Sequence, residues 1–168
     1  SDFATGDVDG DGDLDLVIAT GTNSTNNVEV LLGNGDGAFA AGALYAAGTM
    51  IVDVALADLD GDDAPDIAAA DQNGSQVLVL FNNDDSTGTF QDGVVVIPRP
   101  DGESAAVSVV AEDLNGDGDK DLAAAFGPVN TTSGSVVVAL GNGDDTFRDS
   151  TVFAVSSFDS STPTELSV

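Results

Sequence analysis

An all-β chain built from three copies of one unit is what the sequence predicts, on three observations. An acidic loop recurs as Asp7-Val8-Asp9-Gly10-Asp11-Gly12-Asp13-Leu14-Asp15, Asp58-Leu59-Asp60-Gly61-Asp62-Asp63-Ala64-Pro65-Asp66 and Asp113-Leu114-Asn115-Gly116-Asp117-Gly118-Asp119-Lys120-Asp121. The loop starts lie 51 and 55 residues apart, and periods near 50 belong to propellers, solenoids or arrays. Short apolar, largely β-branched runs keep phase with the loops between Gly/Asn/Asp turns, the pattern of antiparallel strands. No stretch carries helical periodicity with caps.

The elements follow in order within each unit. An apolar alternation leads into the loop, as in Val52, Val54 and Leu56 or Val107, Val109 and Ala111. A short strand leaves it: Leu16 to Ala19, Ile67 to Ala70, Leu122 to Ala125. The alanine triplets suit a crowded inner strand, where small side chains let neighbouring units approach. After a polar Asn/Ser/Thr/Gly loop comes a third strand, Val28 to Leu32, Val77 to Phe81 and Val136 to Leu140. A turn then leads to Phe39, Phe90 or Phe147, read as fillers of the gap between units. A fourth strand such as Val94 to Ile97 closes the unit.

Four strands per unit of about 50 residues is the make-up of a β-propeller blade. The expectation is one repeat domain over residues 1–168, with approximate repeats 1–51, 52–106 and 107–163. Residues 164–168 begin a fourth repeat, because Pro163 to Val168 repeats the alternation that precedes Asp58. A closed propeller typically has four to eight blades. Three blades therefore predict a partial ring, or a ring or filament completed by other chains. One chain's end would then complete another's first blade, a head-to-tail contact that closes or propagates according to the rotation per unit. Opening at Ser1 without an initiator methionine, the chain is expected to be processed or a fragment.

Charge narrows the function. Thirty acids stand against Lys120, Arg99 and Arg148, a formal net charge of −27 over 168 residues. Such a chain repels nucleic acid and anionic membranes. No apolar run approaches the roughly 20 residues of a membrane helix, so neither nucleic acid nor membrane insertion is expected. The 42% hydrophobic content and the regular strand pattern argue against disorder. There is no cysteine, hence no disulfide from which to read a compartment.

The acids fall where a calcium ion would need them. Carboxylates or amides occupy loop positions one, three, five and nine, the hard oxygen donors that calcium takes at about 2.3–2.6 Å. The expected ligands of the first loop are the side chains of Asp7, Asp9, Asp11 and Asp15 with the Asp13 carbonyl. The second uses Asp58, Asp60, Asp62 and Asp66 with the Ala64 carbonyl. The third uses Asp113, Asn115, Asp117 and Asp121 with the Asp119 carbonyl. Glycine at position four (Gly10, Gly61, Gly116) lets the backbone wrap the ion through positive φ. About three Ca2+ ions, one per repeat, are expected, moving the formal charge from −27 to −21. A helix–loop–helix calcium hand is excluded because it needs a bidentate glutamate at position twelve, where Ile18, Ala69 and Ala124 stand. The nonapeptide calcium β-roll fails because its loops recur far more often. Cytosolic calcium rests too low for modest-affinity loops, which favours an extracellular or cell-surface address.

The succession apolar-x-apolar-x-Asp-x-Asp/Asn-Gly-Asp-x-x-x-Asp-apolar, followed by Val-x-Val-Leu-Leu-Gly-Asn-Gly-Asp-Gly-x-Phe, resembles the FG-GAP/VCBS repeat family over essentially the whole chain. That resemblance implies integrin-α-like propeller blades, calcium on each blade's outer edge, and roles in adhesion, carbohydrate association or display. Two departures stand in the second loop. Asp63 replaces the usual position-six glycine and Pro65 stiffens the turn, so a weaker site is expected there.

Other chemistry finds little support. There is no histidine or cysteine, the usual general base, thiol nucleophile and zinc ligand. Paired carboxylates serve glycoside cleavage, but thirty acids make pairs inevitable, and catalysis is not expected. Gly33-Asn34-Gly35-Asp36-Gly37 lacks the Lys-Ser/Thr ending and the helix of a phosphate loop and reads as a hairpin turn. Asn23, Asn73 and Asn130 head N-glycosylation sequons 16, 15 and 17 residues after their loop starts. They are either glycan sites of a secreted protein or ordinary turn formers. The functional expectation is a calcium-stabilised extracellular binding or adhesion module whose Asn/Ser/Thr/Gly loops meet a protein or glycan. The alternatives are a structural repeat assembling head to tail into a filament or surface layer, and an accessory domain of a polysaccharide-active enzyme.

Overall fold

The computed structural model describes residues 2–21, 28–40, 42–98, 105–127 and 134–155. They form twelve strands in three four-stranded sheets, with no helix among the described residues. The first sheet runs β1 (Phe3–Gly6), β2 (Asp15–Ala19), β3 (Val28–Leu31), β4 (Ala43–Tyr45). The second runs β5 (Ile51–Ala57), β6 (Asp66–Asp71), β7 (Gln76–Leu80), β8 (Val94–Ile97). The third runs β9 (Ala105–Glu112), β10 (Asp121–Gly127), β11 (Gly134–Ala139), β12 (Thr151–Val155). Each strand pairs antiparallel with the next in sequence. These are three β-propeller blades, not closed into a ring.

Why the blades need one another follows from the side-chain period of two. In β6, Ile67 and Ala69 enter one apolar cluster with Val17, Val28 and Val30 of the first blade. Ala68 and Ala70 enter a second cluster with Leu122, Ala124 and Phe126 of the third. Both clusters lie between blades, so a lone blade has two apolar faces and no core. First strands make the closest inter-blade approach, β5 packing on both β1 and β9. The alanine triplets sit on the second strands β6 and β10, hydrogen-bonded on both edges and buried on both faces.

Each third strand turns back through an isolated bridge: Gly33 with Phe39, Asn82 with Phe90, Gly141 with Phe147. Phe90 is buried against the first blade, with Tyr45 edge-on at 5.4 Å, and Phe147 packs on the cluster shared with the second. Phe39 departs from the gap-filling expectation: it is exposed, because none of the described blades packs on that face of the first. Blade one already holds its own first strand, Phe3–Gly6, so it needs no strand from another chain's end. The overlap at Pro163 to Val168 lies outside the described residues.

Candidate metal centres

The three acidic loops share one hydrogen-bonded geometry, set by local backbone chemistry. Aspartate and asparagine side chains accept from N–H groups two residues on, which turns the chain tightly. Position three does so to position five: Asp9 from Asp11 at 3.2 Å, Asp60 from Asp62 at 3.2 Å, Asn115 from Asp117 at 2.8 Å. Position five repeats it to position seven: Asp11 from Asp13 at 2.8 Å, Asp62 from Ala64 at 2.8 Å, Asp117 from Asp119 at 3.1 Å. Position one reaches across to position six, Asp7 from Gly12 at 2.9 Å, Asp58 from Asp63 at 3.1 Å, Asp113 from Gly118 at 3.1 Å. Gly10, Gly61 and Gly116 all take positive φ, 74°, 84° and 81°. Asp63 takes φ 72° where Gly12 and Gly118 stand in the other loops, a conformation that costs a side-chain-bearing residue energy.

Position nine does more than its place in a ligand set requires. Asp15, Asp66 and Asp121 are wholly buried. One oxygen of each accepts the position-two N–H: Val8 at 2.7 Å, Leu59 at 2.8 Å, Leu114 at 2.9 Å. The other accepts the N–H at the start of the hairpin: Gly33 at 2.8 Å, Asn82 at 2.8 Å, Gly141 at 2.9 Å. This carboxylate clips the acidic loop to the far end of β3, β7 or β11. A carboxylate offers about four lone pairs, so two N–H bonds leave capacity for a cation.

The structure brings three expected ligands together in each of the first two loops. Carboxylate oxygens of Asp7, Asp9 and Asp15 lie within 4.8 Å of one another, as do those of Asp58, Asp60 and Asp66. Asp7 Oδ1 is buried and has no hydrogen-bond partner among the described residues. That is the state of an oxygen shaped for a cation, since buried acceptors are otherwise nearly always satisfied. Hard oxygens around an orphaned carboxylate atom fit calcium. Asp11, Asp62 and Asp117 are not drawn into such a triad. The Asp13 and Asp119 side chains turn onto the hairpin, against Gly35 and Gly143, where a methyl group would not fit. Their carbonyls, with that of Ala64, are then the available donors at position seven.

The third loop differs electrostatically. Asn115 replaces a carboxylate, and its Nδ2 donates to Asp117 Oδ2 at 2.9 Å. Arg148 lies 3.5 Å from the same oxygen, and Lys120 pairs with Glu112 at 3.2 Å. Both described cations thus stand at this loop, and the first two have none. N–H donation by Gly116, with Gly118 and others, holds the exposed Asp113 carboxyl below the usual range. Burial instead pushes Asp9 up against the Asp11 N–H bond, and pushes Asp60 up with help from Asp62. Asp66 is pushed up to about 7 by burial, against the N–H bonds from Asn82 and Leu59, with Asp60 and Asp62 adding to the rise.

Sequence reasoning missed two groups. Asn82 stands where the other hairpins have Gly33 and Gly141, and its buried Nδ2 donates to Val8 O at 2.9 Å and Pro65 O at 3.2 Å. It ties the second blade's hairpin to both acidic loops across a cleft of about 230 Å3. The broken Gly-Asn-Gly pattern was its signal. Asp71 accepts N–H bonds from Thr49, Met50 and Gly74, fixing the 72–75 turn that carries Asn73. Those donors outweigh burial and keep its carboxyl below the usual range. Asn23 and Asn130 lie outside the described residues.

Two stretches of the chain, residues 7–69 and 58–124, match the FG-GAP-like repeat. Each match spans one full period, from an acidic loop to the strand after the next. No curated protein matches the sequence.

Proposed function

From the premise that the chain belongs to the FG-GAP-like repeat family, we propose that it is a calcium-stabilised, non-catalytic, extracellular binding module. Repeats of this family occur in propeller-like modules that bind protein or other ligands, commonly outside the cell. The observation that carries the reading is the buried, unpartnered Asp7 Oδ1 inside an oxygen triad whose hydrogen-bonded frame recurs in all three loops. Three ions sit at 7–15, 58–66 and 113–121, held by the position one, three, five and nine side chains and the position-seven carbonyl. Residues 1–168 act as one repeat domain, since each apolar cluster needs two blades.

The partner is a protein or glycan met by the inter-strand loops. Of these only 71–76 is described, and Asp71 holds it rigid from within, as a recognition loop benefits from preorganisation. No helix among the described residues is long and apolar enough to cross a membrane. Thermal melting in calcium and in chelator, paired with binding to glycan and protein arrays in both, tests the reading. It predicts a calcium-raised melting temperature and array binding lost on chelation. Hydrolysis of a polysaccharide by this chain would contradict it. A structural role as a self-assembling repeat is the second reading, favoured by the exposed apolar faces of the first and third blades.

A further inference from the structure

One groove between blades is sealed by a side chain that its counterpart lacks. At the outer rim between the first and second blades, Tyr45 sets its ring edge-on to Phe90 at 5.4 Å and donates its hydroxyl to the Gly88 carbonyl at 3.4 Å. The Gly93 N–H donates to the Ala46 carbonyl at 3.1 Å, closing the rim further, and Phe90 is 6% exposed. Between the second and third blades, Ile97 stands where Tyr45 does, opposite Val77 as Tyr45 is opposite Val28. Phe147 answers to Phe90, so Asp145 answers to Gly88 and Ser150 to Gly93. Ile97 has no hydroxyl to reach the Asp145 carbonyl, and among the described residues Ser150 makes no backbone bond to Pro98. What remains is an open groove of about 290 Å3, with Val94, Val96 and Pro98 on one side and Asp145, Phe147 and Ser150 on the other. Val94 is 54% exposed there, and Phe147 is only partly buried.

We propose that this groove binds a tyrosine side chain of a protein partner, carried in a basic, extended segment. The filled groove one blade earlier supplies the pattern: an aromatic ring against the phenylalanine, and a hydroxyl on the carbonyl two residues before it. A partner's phenol entering from outside meets Phe147, Val94 and Val96 and donates to the Asp145 carbonyl. Such an aromatic pair adds to the area it buries, and a buried tyrosine hydroxyl takes a hydrogen-bond partner. Charge sets what flanks the ring. Arg148 at the rim is engaged, its Nε donating to Asn142 Oδ1 at 3.1 Å and its guanidinium lying 3.5 Å from Asp117. Asp145 and Asp149 beside it are exposed. On a chain of net charge −27 they favour lysine or arginine next to the tyrosine. Both walls of the groove belong to blades packed on one another within the chain. The proposal deepens the binding-module reading by naming a partner class, and rests on that reading for function and not for its ion.

Isothermal titration of the chain with acetyl-Lys-Lys-Tyr-Lys-Lys-amide, in calcium and in chelator, tests it. The phenylalanine analogue should bind about two- to tenfold more weakly through the lost hydroxyl. The alanine analogue should bind at least about tenfold more weakly. Val94→Asp should cost the tyrosine peptide at least about tenfold as well, whereas an added negative charge would tighten a contact made by charge alone. Leu44→Asp, exposed on the fourth strand of the first blade, should leave binding unchanged. Ile97→Tyr supplies the ring from within the chain and should abolish binding. A melting curve shows whether that buried substitution still folds, and Val94→Asp decides the matter if it does not. Equal binding of the tyrosine and alanine peptides, or indifference to Val94→Asp, overturns the proposal. So does an oligosaccharide whose binding Val94→Asp abolishes while the tyrosine peptide fails to bind. Tyrosine-selective binding that survives chelation upholds the groove and counts against calcium stabilisation. Array binding by a chain that ignores the peptide sinks the groove and spares the module reading.

Discussion

The backbone N–H of Gly141 donates to Asp121 Oδ1 at 2.9 Å, tying the end of the third acidic loop to the end of β11. The same carboxylate takes the Leu114 N–H on its other oxygen, also at 2.9 Å. In all three blades the position-nine aspartate therefore has a structural duty that needs no ion.

Asp121→Ala separates that duty from metal binding. It leaves two N–H groups without their acceptor, at about 1–3 kcal/mol for each one that stays buried. Urea unfolding in chelator should show a loss of about 2–5 kcal/mol. An unchanged midpoint in chelator would mean the clip contributes nothing without calcium.

Protonation gives a second prediction. Asp66 is pushed up to about 7, with Asp9, Asp60 and Asp53 also raised, each chiefly by burial. A raised carboxyl binds more protons folded than unfolded, so its stabilisation is present at low pH and is lost as pH rises through the folded value. In chelator the melting temperature should fall between about pH 4 and pH 7. Calcium, which binds the ionised form, should flatten or reverse that fall. Asp66→Asn should remove most of it. A melting temperature that climbs over this range in chelator would contradict the assignment.

Asp63 carries φ 72° at a position where both other loops have glycine. Asp63→Gly relieves that conformation but frees the unfolded chain, so the net gain should be modest, about 0.5 kcal/mol. Differential scanning calorimetry against Asp62→Gly is the check. Asp62→Gly loses a turn-forming side chain and should destabilise.

Asn82→Gly gives the second blade the residue found in the other two hairpins. It removes the donor to Val8 O and Pro65 O, leaving two carbonyls underused. The expected cost is about 1–3 kcal/mol, read by urea unfolding. No loss would mean that water replaces the amide at no cost.

Most of the fold was legible because it is written locally. The alternation in Val28 to Leu31, the short apolar run Val77 to Leu80 and turn chemistry around Gly33 and Gly141 need no knowledge of the neighbours. The acidic loops were legible for the same reason, as their carboxylates close turns on N–H groups two to five residues away. The contacts that reach across blades were not. Asp53 accepts the Val109 N–H at 2.8 Å from the next blade. Only the presence of an acid in an apolar strand hinted at it. The clip by Asp15, Asp66 and Asp121 spans about 20 residues and hid behind a ligand role that explained the same aspartates. Phe39 and Phe90 look alike in sequence. Their burial differs because a blade covers one and not the other, which no local pattern records.

Isothermal titration of the chelator-stripped chain with calcium addresses the central claim most directly. The account predicts three ions per chain, falling to two when Asp7→Ala removes the carboxylate with the orphaned oxygen. Absence of binding heat at millimolar calcium, or a stoichiometry that Asp7→Ala leaves at its wild-type value, would contradict it.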